Sequence, residues 1–140
     1  MRCIRSHRGA ALLEFALAWP VALLLVLGSV ELAVWGAESF AARSAALAGA
    51  RAASVAGSNP RIAALVTLSA LSPSLVGVKA DVWCPGEGAT QPAVWVCARD
   101  QGPAMQVDVG GSVPALVPIG PGQGLPLHAH VEIQKEVFNP

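Results

Sequence analysis

The stretch "RGAALLEFALAWPVALLLVLGSVEL", residues 8–32, places a carboxylate, Glu14, just inside an apolar run. From Phe15 to Val30, 16 consecutive residues carry no charge, and between Gly9 and Glu38 the only charges are Glu14 and Glu31. A helix needs roughly 20 mostly apolar residues to cross a bilayer, so Ala10 to Trp35 is long enough, with two acidic exceptions. The run also explains the composition: 54% of the 140 residues are hydrophobic and only 13% are charged. That charged share is low for a soluble globular protein, and the length fits one domain plus an anchor, or one small domain alone. Formal net charge is zero and no basic run lies beyond the N-terminus, which argues against nucleic acid as a partner.

Arg2, Arg5 and Arg8 precede the run, with His7 among them and no acidic residue. By the positive-inside rule this end stays cytoplasmic, and the chain beyond about residue 37 faces outward, in a bacterium into the periplasm. Three kinds of segment share this pattern. A cleaved secretory signal needs small residues after a shorter apolar core, and "ELAVWGAES" (31–39) puts Trp35 in the way. A plain signal anchor fits in length but leaves Glu14 without a role: an acidic residue costs about 2.5–3.5 kcal/mol at mid-helix and less near an end, so there it would be merely tolerated near the cytoplasmic interface. A prepilin-type leader accounts for it.

In "RGAALLEF" Glu14 is the fifth residue after Gly9 and is followed by the aromatic Phe15. This resembles the processing site of type IV pilin-like proteins, where a prepilin peptidase cuts after the Gly. The wider stretch, with Arg8, Gly9, Glu14, Phe15, Ala16, Leu17, Pro20 and Glu31, resembles the opening of the TadE-like pseudopilins. "LAGAR" (47–51) resembles the end of that family's helical extension, without its usual acidic residue, and "GLPLHAHVEIQKE" resembles its C-terminal half.

The resemblance implies a minor pseudopilin of a Tad (Flp) type IVc pilus system, used for adherence and secretion. It implies an inner-membrane precursor cut between Gly9 and Ala10, with the prepilin peptidase and other minor pseudopilins or pilin as partners. Glu14 and Phe15 would serve recognition or assembly. Cleavage would free an amine on Ala10, and Glu14 of one subunit could pair with the Ala10 amine of a neighbour. A carboxylate in a membrane is costly alone and much less so when paired, so it favours one axial register.

The expected organisation is a leader at 1–9, a membrane helix at 10–37, a helical stalk at 38–57 and an outward α+β domain at 58–140. Pro20 removes one backbone hydrogen bond inside the span, so a bend is expected there. Residues 38–56 are Ala-rich without Pro, so the membrane helix continues into water. Ala42, Ala46, Gly49 and Ala53 lie at helical spacing and permit close approach, of another subunit's helix or of the protein's own sheet. "GSNP" (57–60) ends that helix, and 61–72 reads as a short amphipathic helix stopped by Pro73. The period then becomes two, giving strand candidates at 76–83, 93–99, 104–113 and 127–138. "PALVPIGPGQGLP" (114–126) holds too many Pro and Gly for a central strand or helix. The fold expected is α+β, a small antiparallel sheet of about four strands packed on the long helix.

Cys3, Cys84 and Cys97 are odd in number, but a cut after Gly9 discards Cys3 and leaves a pair. In an oxidising compartment a Cys84–Cys97 disulfide is the natural outcome; the alternatives are two buried thiols or reaction partners elsewhere. His128 and His130, two apart on a strand, could be half a metal site but have no third partner at a defined position. "GPGQG" (120–124) lacks the strand-to-helix context and the Lys of a phosphate loop. Cys97 has no identifiable base, and the carboxylates form no acid/base pair, so neither enzymatic activity nor a cofactor is expected. Two other classes compete with the pilin-like reading: a signal-anchored periplasmic binding module, and a secreted enzyme.

Overall fold

In the computed structural model the described residues are 7–55, 59–88, 90–116 and 124–135. The first part of the leader (residues 1–6, with Arg2, Cys3 and Arg5), most of the Pro/Gly-rich stretch (117–123) and the end of the last expected strand (136–138) lie outside them. One helix, α1, runs unbroken from His7 to Val55 and includes Pro20. The apolar run and the Ala-rich segment after it are therefore one continuous helix. No residue between Val21 and Val55 is a Pro, and Ala-rich sequence favours continuation. A second helix, α2 (Pro60–Leu71), starts where the side chain of Asn59 accepts the Arg61 N–H at 2.9 Å, with Pro60 in the first turn. A short 3-10 turn at Ser72–Ser74 closes it.

Four strands follow: β1 (Ala80–Val82), β2 (Val94–Asp100), β3 (Ala104–Pro114) and β4 (Gly124–Gln134), in the spatial order β1-β2-β3-β4. The α+β class is as expected, with a difference at each edge. At one edge, β1 pairs with β2 in parallel, so the sheet is mixed and not wholly antiparallel. The chain leaves β1 through Trp83 and Cys84, and residues 83–93 carry it back to the end of the sheet from which β1 started. At the other edge, β4 starts at Gly124 and contains Pro126, inside the stretch expected to be strand-free. An edge strand tolerates Pro where the missing N–H would have faced away from its neighbour.

The core lies between the sheet and the two helices. Val94, Val96, Met105, Val107, Val109, Val113, Leu127 and Ala129 form its sheet side. Ala42, Ala45, Ala46, Ala50 and Ala53 of α1 meet them, with Ala63, Ala64 and Leu71 of α2. The spacing read as a small-residue face is thus satisfied within the chain itself. Gly49 is the tightest point, since a Cβ there would lie 1.9 Å from Thr67 Oγ1 and 2.5 Å from the Ala63 carbonyl oxygen. Rather than standing clear as a water-exposed stalk, the second half of α1 is the domain's central helix.

The other sheet face carries the Cys84–Cys97 disulfide, with a Cα–Cα distance of 4.8 Å. Beside it Trp83 and Trp95 meet edge to face, ring centroids 5.7 Å apart. Trp95 lies over Gly110, where a Cβ would come within 2.4 Å of the indole ring. On the chain-entropy account, a disulfide closing a loop of this length stabilises by about 3 kcal/mol.

Candidate functional site: the anchoring helix and its junction

The features expected to carry function lie on α1. Gly9 and Ala10 are in its first turns. Every side chain from Leu12 to Val30 is exposed, Glu14 and Phe15 included. At 1.5 Å rise per residue these nineteen positions span about 28 Å, close to the hydrocarbon thickness of a bilayer. The segment is thus long and apolar enough to cross a membrane, with a peak mean hydropathy of 2.1. Phe15 and Trp19, one turn apart, stack with centroids 6.1 Å apart, so an aromatic pair directly follows Glu14. In the described residues Glu14 is the one ionisable side chain of this exposed apolar surface.

At Glu31 the environment changes within one turn. Glu31 is 7% exposed and its Oε1 accepts the Leu116 N–H at 3.1 Å. Trp35, one turn on, donates its indole N–H to the Pro126 carbonyl oxygen at 2.9 Å. Glu38 is 4% exposed, and its Oε1 accepts the Val76 N–H at 3.0 Å. Positions 31, 35 and 38 share one helix face, so three polar groups bind three separate segments of the domain to the helix as the apolar run ends. Buried carboxylates that accept backbone N–H groups satisfy donors the loops could not pair in a ladder.

The sequence places Glu31 in the opening motif, but its role as a loop anchor depends on Leu116, 85 residues away. Glu38 and Trp35 carried no signal of function in the sequence. Between helix and β4 the junction leaves an apolar groove of about 500 Å³, lined by Leu24, Gly28, Leu32, Trp35, Leu125 and Pro126.

The remaining expectations resolve locally. Cys84 and Cys97 are joined, as read. His130 Nδ1 lies 2.6 Å from Asp108 Oδ1, and the Gln106 side-chain amide donates to Asp108 Oδ2 at 2.7 Å. His128 and His130 are both exposed and near one another on β4. Among the described residues no group of three His, Cys, Asp or Glu side chains is placed to hold a metal ion. At the far end of the sheet Lys135 pairs with Asp100, and its hydrogen bond, with that from the Gly102 N–H, holds the Asp100 carboxyl below its ordinary value of 3.8.

An apolar helix long enough to cross a membrane, bearing one exposed carboxylate near its start, is thus fused to a small α+β head. Comparison with known families finds one match over part of the chain: residues 9–51 match the model of the TadE-like protein family. The match covers α1 from the Gly9 position through Arg51, taking in Glu14, Glu31, Glu38 and Gly49. It agrees with the resemblance read from the opening motif. No curated protein and no solved structure matches the chain.

Proposed function

We propose that this chain is a minor pseudopilin of a Tad (Flp) pilus assembly and secretion system. In this reading it inserts in the bacterial inner membrane with its N-terminus cytoplasmic and its α+β domain periplasmic. A prepilin peptidase cuts between Gly9 and Ala10, and the exposed half of α1 then packs with the helices of other pseudopilins or pilin. Glu14 meets the Ala10 amine of a neighbour, which neutralises both charges in the apolar phase. In this reading the role is structural, and Cys97 is tied to Cys84.

The observation that carries the proposal is the placement of Glu14. It sits alone on an exposed apolar helix surface, five residues after Gly9, inside a segment that matches the TadE-like family. Intact mass of the protein from its membrane, measured for the natural chain and for Glu14→Ala, tests it. Loss of residues 1–9 from the natural chain, with retention or failed assembly in Glu14→Ala, is the expected result. An unprocessed natural chain would instead mark a plain signal anchor with a periplasmic binding domain. Cleavage within 33–42 would mark secretion, and would sever α1 between Glu31 and the alanines of the core.

A further inference from the structure

The two edges of the sheet are finished differently. β1 is three residues long, and the Val82 N–H is taken by the carboxylate of Asp81 at 2.8 Å. That edge is short and self-capped, a common protection against strand pairing. β4 has 11 residues, and its outer side can be read from the hydrogen bonds. The Lys135 N–H donates to the Pro103 carbonyl at 2.9 Å, continuing the register that pairs Gln134 with Ala104. Odd-numbered residues of β4 therefore turn their backbone groups to β3, and even-numbered ones turn theirs outward. At Pro126 the outward N–H is missing and the carbonyl is taken by Trp35. From His128 to Gln134 the outward N–H and C=O groups have no partner among the described residues.

A groove of about 480 Å³ runs beside this open edge, lined by Ser39, Phe40 and Arg43 of α1 and by His128, Ala129 and His130. Phe40 is 76% exposed and Arg43 is exposed with no carboxylate beside it among the described residues. On the helix side of the strand Val131 and Ile133 are only half-buried.

We propose that the β4 edge from His128 to Gln134 takes up an extended segment of a different protein as a fifth strand. That segment carries alternate apolar residues toward Phe40, Val131 and Ile133, and a carboxylate on the same face, near Arg43. Main-chain hydrogen bonds supply affinity in such strand addition, and the alternating side chains supply selectivity. A second copy of this chain is a poor occupant, for two reasons of geometry. An antiparallel β4–β4 pair needs a twofold axis normal to the sheet. α1 lies on the sheet running in the direction of β4, from Trp35 at Pro126 to Arg43 near His130. Such an axis would point the two apolar halves opposite ways, and both could not enter one bilayer. A head-to-tail pair would offer only the three residues of β1, capped by Asp81. The proposal does not depend on removal of residues 1–9.

The test uses the full chain in detergent micelles and a capped nonapeptide of alternating valine and threonine with a central glutamate. Amide exchange is read residue by residue by NMR. With saturating peptide the amides of His128, His130, Glu132 and Gln134 should exchange about tenfold more slowly or better, while odd-numbered amides of β4 change little. The same peptide N-methylated on alternate amides should protect nothing, and a lysine-for-glutamate peptide should bind several-fold more weakly. Glu132→Pro removes an outward N–H and should abolish protection. Should that variant misfold, Arg43→Glu, on an exposed helix position, should reverse the preference between the two peptides. Unchanged exchange at the even-numbered amides, or equal binding of the glutamate and lysine peptides, would overturn the proposal. So would protection that grows with protein concentration alone, which would mean a second copy covers the edge.

Discussion

The two halves of α1 are one helix by backbone and two different objects by surroundings. From Leu12 to Val30 no side chain is buried, although Leu, Val, Phe and Trp dominate. From Glu31 to Ala53 the residues are smaller and more polar, yet Ala42, Ala46, Ala50 and Ala53 are wholly inaccessible. Hydrophobicity alone would have sorted them the other way round. The difference teaches that along α1 burial follows from close approach of the head, whereas the large apolar side chains of its first half meet nothing within the described residues of the chain. Small residues let α2 and the sheet reach the helix backbone, and the large ones from Leu12 to Val30 leave an exposed apolar surface long enough to cross a bilayer.

The contrast can be broken most directly at its glycines. Gly49→Leu drives a side chain into Thr67 and the Ala63 carbonyl, and should cost about 3 kcal/mol or prevent folding of the head. Gly28→Leu meets nothing within 4 Å and should leave stability within about 0.5 kcal/mol. Thermal unfolding of both variants in micelles decides the matter: equal losses would mean the halves do not differ as described.

A smaller effect is expected at the junction. Glu38→Ala leaves the Val76 N–H without its acceptor and should cost about 1–2 kcal/mol, whereas Glu38→Gln, which keeps an acceptor, should cost less. Denaturant unfolding of the two variants separates the hydrogen bond from the charge. The smallest effect lies away from α1, at Asp100. Its carboxyl titrates lower in the folded chain than in the unfolded one, chiefly through the hydrogen bond from Lys135. The stabilisation is therefore present above the ordinary value of 3.8 and is lost as pH falls through the lower, folded value. Lys135→Gln should be slightly less stable than the natural chain near neutrality, and the gap should close in acid. A gap that widens in acid would contradict this assignment.

Much of this fold was legible because helices announce themselves locally. The Asn59-Pro60 start of α2, the Ala-rich run through α1 and the alternation of β3 each lie within a few residues of sequence. Glu14 is singled out in an equally local way, by its distance from Gly9. The sheet edges were not legible. Pro126 reads as a strand breaker until its outward position beside Trp35 is known, and the direction of β1 depends on how residues 83–93 return. Trp35 and Glu38 were missed because what defines them is a partner 91 and 38 residues away.

The sequence by itself determined an apolar helix of membrane length, a carboxylate at a set distance from Gly9, a cysteine pair and a domain of strands. These follow from composition and spacing, which act over a few turns or a few residues. Tertiary structure alone decided which partner the small face of α1 receives, how the head is fastened at Glu31, Trp35 and Glu38, and which strand edge remains open. Those outcomes rest on contacts between distant segments, and a backbone group left without a partner becomes visible only when every neighbour has been placed.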